Sequence, residues 1–301
     1  MAGGVGAARL LRGLVRLRPP GDITVIANVG DDIVLHGLHI SPDLDTITYT
    51  LADQINPETG WGMRGETWQA MASVERYGGL SWFRLGDRDL GTHLYRTHRL
   101  HEGADLATVT AEITAAWGLE IALRPVTCDR LETRVTLVAE GEVHFQEYFV
   151  RRRHDVAVRS IRFAGAEECR PSPGVLDAIG SAERVVIAPS NPIVSIGPLL
   201  AVPGVRDALV ARRDDVVAVS PIVGGAALKG PADRLLRELG HESSVAGVAA
   251  AYAPIAATLV IDVADRDAAD RVAEQGVRCI VTDTIMRDAE RAEALCRVVL
   301  A

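Results

Sequence analysis

Lysine is almost absent from this 301-residue chain. Lys229 is the one lysine among 32 basic side chains, and arginine supplies the other 31. An arginine- and alanine-rich composition is typical of a GC-rich genome, so a surviving lysine is less easily explained as surface decoration. Lys229 lies in VGGAALKGPADR, residues 223–234, after a predicted strand. There it can act as a point charge on a phosphate, although an exposed helix lysine remains the alternative.

Cysteines and basic clusters are also scarce. The four cysteines form no CxxC pair and have no histidine at ligand spacing: Cys128, Cys169, Cys279 and Cys296. This pattern favours reduced thiols over a disulfide framework or a zinc site. The formal net charge is −8, and the only arginine run, 151–153, lies near acidic residues. Nucleic acid is therefore not an expected partner.

Long apolar runs are missing as well. No run reaches the roughly 18 residues that a membrane-spanning helix needs. The N-terminal MAGGVGAAR has no basic segment followed by an apolar one. We therefore expect a cytoplasmic protein without a membrane partner. The chain is 48% hydrophobic but only 4% aromatic, which predicts a core of small aliphatic side chains.

Short β-branched runs alternate with helical patterns along the chain. Strands are predicted at 23–28, 184–188, 215–219, 258–262 and 277–281, with a last helix at 287–299. A hairpin is predicted from 133–138 and 143–150, and residues 43–118 show helical patterns alone. The pattern predicts one α/β domain over 1–301, Rossmann-like, with a mostly parallel sheet, helices on both faces and a helical lobe inserted at about 43–118.

The N-terminal GGVGAAR is typical of a diphosphate-binding turn. Gly3, Gly4 and Gly6 would let the backbone approach the phosphates, and a helix over 7–17 would direct its N–H groups at them. Such a motif normally follows a strand, and only Met-Ala precedes it here, so the first strand is expected to be absent. A flexible tail is the alternative.

Four carboxylates follow the first predicted strand, in NVGDD (28–32) and SPDLDT (41–46). Ligands of open parallel sheets bind beyond the carboxyl ends of strands, and carboxylates there suit a diphosphate with Mg²⁺ or a hydroxyl that needs a base. Helix capping is the alternative, and it explains Asp43 better than Asp45.

Three further stretches carry candidate binding residues. APSNPIVSIGP offers Ser190 and Asn191 after a strand, where a plain proline-closed turn is the alternative. SPIVGGAALKGPAD offers Gly224 and Gly225 with the lysine already named. WFRLGDRDLGTH offers Trp82, Arg84 and Arg88, or else a solvated charged turn.

Taken in order, these motifs with GWGMRGET and TDTIM resemble the 2-phospho-L-lactate transferase family of coenzyme F-420 biosynthesis. The resemblance covers essentially the whole chain, and SPDLDT and WFRLGDRDL are its specific parts. The composition is compatible with the actinobacterial branch, whose members are described as phosphoenolpyruvate transferases.

The resemblance implies that the deazaflavin Fo attacks a guanosine-diphosphate-linked three-carbon acid, enolpyruvyl or lactyl, and releases GMP. It also implies Mg²⁺ as cofactor and a homodimer. Asp45 and Asp43 are then the catalytic and metal-binding candidates; Fo-binding candidates are Asp45, Trp82, Arg84 and Arg88, with Trp61 as an alternative cover for the ring. Nucleotide-binding candidates are Gly3, Gly4, Gly6, Ser190, Asn191, Gly224, Gly225 and Lys229.

One departure and two alternatives stand beside this interpretation. Ala226 occupies a position where many relatives carry a second lysine (GGKALKGP). A related family of nucleotide-sugar-binding regulators shares the fold and the GGxG start, but it needs no deazaflavin pocket. An NAD(P) oxidoreductase would need GxGxxG, and Arg9 breaks that pattern.

We predict that Lys229→Ala weakens guanine-nucleotide binding more than Fo binding, because the lost charge faces phosphate. Equilibrium titrations with GDP and with Fo measure the difference. An unchanged nucleotide affinity would return Lys229 to the solvated surface.

Overall fold

The computed structural model describes residues 1–228 and 230–301, so the assignment of Lys229 lies outside the described residues. The strands are β1 (Thr24–Ala27), β2 (Ile33–Leu35), β3 (Leu38–Ile40), β4 (Ala122–Pro125), β5 (Glu132–Leu137), β6 (Gly141–His144), β7 (Val158–Ala164), β8 (Val185–Ile187), β9 (Val216–Val219), β10 (Ile222–Val223), β11 (Ala226–Ala227), β12 (Thr258–Asp262) and β13 (Arg278–Thr282).

The helices connect these strands and cover them. They are α1 (Gly4–Leu14), α2 (Pro42–Leu51), α3 (Gln69–Arg76), α4 (Asp89–His101), α5 (Leu106–Ala116), α6 (Val175–Ser181), α7 (Gly197–Ala201), α8 (Val205–Ala211), α9 (Ala232–Glu238), α10 (Val245–Tyr252), α11 (Ala269–Ala273) and α12 (Ala289–Leu300).

Two parallel sheets form the core, and the first two residues of the chain connect them. One sheet pairs β1 with β4, and the other runs in the order β13-β12-β9-β8. The Ala2 N–H donates to the Ile26 carbonyl at 2.9 Å, and the Ala188 N–H donates to the Met1 carbonyl at 3.1 Å. Met1 and Ala2 therefore lie between β1 and β8, where Ala2 forms an isolated parallel bridge with Ala27 rather than a full strand.

The predicted fold class is confirmed as α/β with parallel sheets. Every residue of β9 and of β12 is buried, so both sheet faces are covered. Helix α1 packs against α2 and α12, beside the parallel strands. A separate antiparallel sheet of order β6-β5-β7 lies between β4 and β8 in the chain.

Helices dominate the connection between β1 and β4. These two strands are parallel neighbours, yet the chain between them carries the β2–β3 hairpin and then α2, α3, α4 and α5. The predicted division of the chain into a core and a lobe at about 43–118 falls within this connection, which places α2 next to α1 and α4 against β3.

Three local predictions are corrected. Helix α1 begins at Gly4 rather than at residue 7, so the glycine turn is itself the first helical turn. The second hairpin strand ends at His144, and Glu147–Arg151 forms a π-helical turn, because Phe145 and Tyr148 both bury toward the same apolar cluster. The β2–β3 and β10–β11 hairpins were not predicted. The two strands of the β10–β11 hairpin contain only four residues together.

Within residues 1–228 and 230–301, no single helix has the length and apolar character to cross a membrane. One pair, Pro192–Ala201 with Val205–Ala211, meets those criteria only jointly and is bent by 95°.

We predict that Gly13→Ala lowers the free energy of unfolding by about 2 kcal/mol through overpacking. A Cβ at Gly13 would lie 2.3 Å from the Ala292 carbonyl carbon, where α1 meets α12. The measurement is denaturant unfolding. Gly91→Ala is the matched control, because Gly91 also lies in a helix but has no atom within 4 Å of the point where a Cβ would stand. We expect that control to gain about 0.5–1 kcal/mol; equal effects at the two sites would contradict the close packing of α1 on α12.

Candidate active site

A cleft of about 620 Å³ opens at the carboxyl ends of the parallel strands. The first turns of α1 and α2, the loops after β8, β9 and β13, and part of the helical connection line it. This is the edge where ligands of open α/β sheets bind. The predicted site residues that line the cleft are Gly3, Gly4, Gly6, Asp43, Asp45, Arg84, Ser190 and Asn191.

The glycine turn is locked to the loop after β8. The Ser190 hydroxyl donates to the Gly3 carbonyl at 2.7 Å, and the Gly3 N–H lies 3.3 Å from the same hydroxyl oxygen. A Cβ at Gly6 would lie 2.3 Å from the Pro189 carbonyl oxygen, so only glycine allows this approach. Gly4 has φ +73° and open space where a Cβ would stand. The first turn of α1 is therefore rigid and open toward the cleft.

Asp43 connects the glycine turn to the first strand end. Its Oδ1 accepts from the Gly4 N–H at 2.7 Å, and its Oδ2 accepts from the Asn28 amide at 3.0 Å. Burial raises the pKa of Asp43 to about 6, although both hydrogen bonds act in the opposite direction. A carboxyl with a pKa near neutrality, at the end of a helix and on a cleft wall, is suited to proton transfer or to binding a cation.

Asp31 lies close to Asp43 and lines the same cleft. Its Oδ1 is buried and has no hydrogen-bond partner among the described residues. Burial, followed by repulsion from Asp43, raises the pKa of Asp31 well above its ordinary value. Two buried carboxyls that repel each other, one with an unpartnered oxygen, form an oxygen-only pair with capacity for a cation.

Asp45 belongs to a different group. Its two oxygens face the Arg96 guanidinium, with Oδ2 3.2 Å from Nη1, and both residues are buried. The His93 Nδ1 lies 3.7 Å from Asp45 Oδ2. Asp45 is thus a fully engaged member of a buried ion pair.

Asp89 completes this second group. It accepts a 2.6 Å hydrogen bond from the Tyr49 hydroxyl, and its Oδ2 lies 3.2 Å from His93 Nε2. Burial alone would raise the pKa of Asp89, but the hydrogen bond and charge of His93 outweigh it and lower that pKa. Burial and the two aspartates raise the pKa of Tyr49, so its hydroxyl stays a donor.

The two acidic groups differ in their fitness for a metal ion. Ligand atoms of Asp45, Asp89 and His93 lie within 4.8 Å of one another, so that group could hold an ion by geometry. Arg96 already neutralises Asp45, however, and a guanidinium repels a cation. Hard divalent cations prefer oxygen ligands, which Asp31 and Asp43 supply, and no arginine of the described residues lies within salt-bridge distance of either. The predicted pair of Asp43 and Asp45 is therefore divided between two groups.

An aromatic wall from the helical connection faces the acidic residues. Trp61 and Phe83 line the cleft with Arg84, whose Cζ lies 4.5 Å from the ring centroid of Trp68. A cation on a tryptophan face is held in place by the ring quadrupole. Trp61, Phe83 and Arg84 line the same cleft as Asp89 and His93.

Trp82 and Arg88, predicted beside Arg84, do not line the cleft. Trp82 packs with the apolar cluster around Leu35 and Leu85, because the β2–β3 hairpin needs cover on that face. The Arg88 guanidinium donates to the Arg64 carbonyl and lies 3.2 Å from the Gln54 side-chain oxygen. The sequence offered Trp61 and Trp82 as alternative covers for a substrate ring. Of the two, Trp61 is the one that lines the cleft.

The remaining predicted nucleotide-binding residues also divide into those that line the cleft and those that do not. The Asn191 side chain caps the next turn by accepting from the Ile193 N–H at 2.9 Å. Gly224 and Gly225 form the β10–β11 turn and do not line the cleft; their neighbours Val223 and Leu228 do. The positive φ of both glycines makes them turn residues, and the Gly224 N–H donates to Asp265.

The sequence singled out Asp31 only as one of four carboxylates in two motifs, and it gave no site role to several other residues that line the cleft: Tyr49, Asp89, His93, Phe145 and Phe149. The i,i+4 spacing of Asp89 and His93 on a helix is a signal that could have found that pair. No comparable signal marks Phe145 or Phe149, which reach the cleft from the segment that follows β6.

A parallel sheet whose carboxyl edge carries a glycine turn, buried carboxyls and an aromatic wall defines an α/β enzyme that acts on small molecules. The family model of the 2-phospho-L-lactate transferase CofD matches residues 1–300. A phosphoenolpyruvate transferase of Streptomyces griseus is 46% identical over 305 residues, covering 100% of this chain and 96% of its own. Another, of Mycolicibacterium smegmatis, is 40% identical over 312 residues, covering 99% and 95%.

The chain therefore belongs to the 2-phospho-L-lactate transferase CofD family, and it is a transferase of coenzyme F420 biosynthesis. This confirms the family resemblance inferred from the motifs. Protein BH3568 of Bacillus halodurans has a similar fold, with a TM-score of 0.68, 18% identity and coverage of 100% of this chain and 97% of its own.

We predict that Asp31→Asn stabilises the metal-free protein at pH 8 and has little effect near pH 4. A carboxyl whose folded pKa is raised stabilises the fold while protonated and loses that contribution as pH rises through the folded pKa. The amide has no such loss, so the melting temperature at pH 8 should rise by at least about 2 °C. Thermal unfolding in a chelator measures it.

Magnesium should then raise the melting temperature of the unsubstituted protein and leave Asp31→Asn almost unchanged. Asp22→Asn, on an exposed turn, is the control and should respond to magnesium like the unsubstituted protein. A variant that responds to magnesium as strongly as the control would exclude Asp31 as a ligand.

Proposed function

We propose that the protein transfers a phosphoenolpyruvyl group, or a 2-phospho-L-lactyl group, from a guanosine-diphosphate-linked donor to the terminal ribityl hydroxyl of Fo. The products are GMP and the corresponding phosphodiester, coenzyme F420-0 or its dehydro form. The relatives that match over nearly their whole length are named phosphoenolpyruvate transferases, which favours the enolpyruvyl donor.

One observation carries the proposal: a single cleft joins a glycine turn to an aromatic wall, with buried carboxyls between them. The glycine turn at the start of α1 suits an anion, because the Gly4 N–H is bonded to Asp43 but the next first-turn N–H groups, of Val5 and Gly6, have no intrahelical acceptor. The wall of Trp61 and Phe83 suits a planar ring. A donor with a diphosphate and an acceptor with a deazaflavin ring would thus meet at the carboxyls.

The chemistry needs positioning and charge neutralisation more than a covalent intermediate. The ribityl oxygen forms a bond to the phosphorus that carries the three-carbon group, and the bond from that phosphorus to the GMP phosphate oxygen breaks. The hydroxyl proton passes to a carboxylate, and GMP leaves with the bonding electron pair. Asp43 is our candidate base, because it lines the cleft beside the glycine turn.

Asp31 and Asp43 would hold the Mg²⁺ that the family resemblance implies. When bound there, the ion would reduce the repulsion between the phosphates and the carboxyls. Asp45, which the sequence favoured as base or ligand, is assigned instead to positioning: its ion pair with Arg96 joins the first turn of α2 to α4.

The nucleotide-sugar-binding regulator, the alternative from sequence, has less support. Such a regulator needs the glycine turn but no aromatic wall beside the carboxyls. The matching relatives at 40–46% identity are named as transferases.

Incubation with Fo, Mg²⁺ and each guanylated donor tests the proposal, with products identified by mass spectrometry. We expect the phosphodiester and GMP in equal amounts from one donor. Absence of both products with either donor, from a protein that is folded by circular dichroism, would reject the proposed reaction.

Asp43→Asn should lower kcat by about 10²–10⁴-fold, which is the usual contribution of a positioned base. Asp53→Asn, exposed just beyond the end of the same helix, is the matched control and should keep kcat within about twofold. Asp45→Asn is a poorer test, because it strips a buried arginine of its counter-charge and would cost about 3–5 kcal/mol of stability. Turnover by Asp43→Asn equal to that of the control would remove the base from our mechanism.

A further inference from the structure

The charge on the cleft wall is unbalanced. Four carboxyls line the cleft: Asp31, Asp43, Asp45 and Asp89. In the part of the chain that the structure describes, Arg9 and Arg84 are the lysine or arginine side chains that line it. A donor that carries a diphosphate and a carboxylate must be neutralised by more than a single ion, and Arg9 and Arg84 are the described side chains that can contribute to this.

The two arginines come from different segments of the cleft lining. Arg84 belongs to the helical connection, where the Trp68 ring holds its guanidinium and the aromatic wall stands next to it. Arg9 belongs to α1, and within residues 1–228 and 230–301 no carboxylate lies within 4.0 Å of its guanidinium. Its positive charge is therefore available to a ligand.

The position of Arg9 on α1 directs it to the glycine turn. Arg9 follows Val5 by four residues and Gly6 by three, so the three share one face of the helix, and all three line the cleft. Helical side chains lean toward the N-terminus of their helix. We therefore expect the exposed Arg9 side chain to reach back toward the first turn of α1, where a phosphate would lie.

We propose that Arg9 binds the phosphate of the guanosine nucleotide and stabilises the charge that this phosphate gains as it leaves. This inference rests on the proposed function and adds to it a catalytic residue with a defined partner. As the phosphorus–oxygen bond breaks, the GMP phosphate acquires the bonding electron pair and one more negative charge. A guanidinium hydrogen bond strengthens as that charge develops, so Arg9 contributes more to the transition state than to the bound donor.

The positions of the two arginines also indicate which end of the cleft would hold each substrate. The nucleotide would lie on the α1 side, between Arg9, the Ser190 loop and the loop of Thr284 and Met286 after β13. The acceptor would lie on the Arg84 side, and the transferred group would sit between them at the carboxyls. In-line displacement needs this opposition of acceptor and leaving group.

Arg9→Gln tests the assignment, with binding of GDP and of guanosine measured by calorimetry and turnover measured with the full donor. We expect GDP affinity to fall about 10- to 100-fold, as for loss of a charged hydrogen bond, while guanosine affinity stays unchanged. We expect kcat to fall as well, because the lost interaction is strongest in the transition state. Arg9→Lys should recover part of the GDP affinity.

Arg12→Gln is the matched control. Arg12 lies on the same helix, does not line the cleft and has only an exposed contact of 3.5 Å with Asp53. It should bind GDP and turn over like the unsubstituted protein. Unchanged GDP affinity and kcat in Arg9→Gln would overturn the assignment, and so would equal losses for GDP and guanosine. Failure of the unsubstituted protein to bind GDP would instead reject the proposed donor, and with it a phosphate role for Arg9.

Discussion

Burial of like charges at one edge of the sheet is the constraint on which the rest of this structure depends. Asp31 and Asp43 are both withdrawn from water and repel each other, and Asp31 Oδ1 has no hydrogen-bond partner in the part of the chain that the structure describes. A folded chain accepts such an arrangement only where surrounding contacts are strong enough to hold it. Here those contacts are the Gly4 and Asn28 hydrogen bonds to Asp43 and the parallel strands beneath them.

The neighbouring ion pair shows a buried carboxylate that the same fold neutralises with an arginine. Asp45 is two residues from Asp43 on one helix, yet Arg96 neutralises it and His93 and Asp89 surround it. Adjacent aspartates in SPDLDT therefore have opposite electrostatic environments. Asp43 is bonded to the glycine turn, and Asp45 joins α2 to α4 through Arg96.

The fold and the family could be predicted from the sequence because their signals are local. The runs at 258–262 and 277–281 are rich in β-branched residues, which favours strands, and the motifs at strand ends follow in a fixed order. Local pattern could not reveal that Met1 and Ala2 lie between two sheets, because two residues carry no periodicity. It also could not separate Trp61 from Trp82, since only packing decides which ring is covered.

By itself the sequence determined the parallel α/β class, the family, and the gathering of glycines, carboxyls and short polar side chains after strands. Parallel strands bring their carboxyl ends to one edge, so chain order is enough for that conclusion. The tertiary structure alone decided which aspartate is ion-paired, which tryptophan lines the cleft and that Arg9 lacks an acidic partner within the described ranges. These properties depend on contacts between segments tens of residues apart, such as Asp45 with Arg96, and no local pattern encodes them.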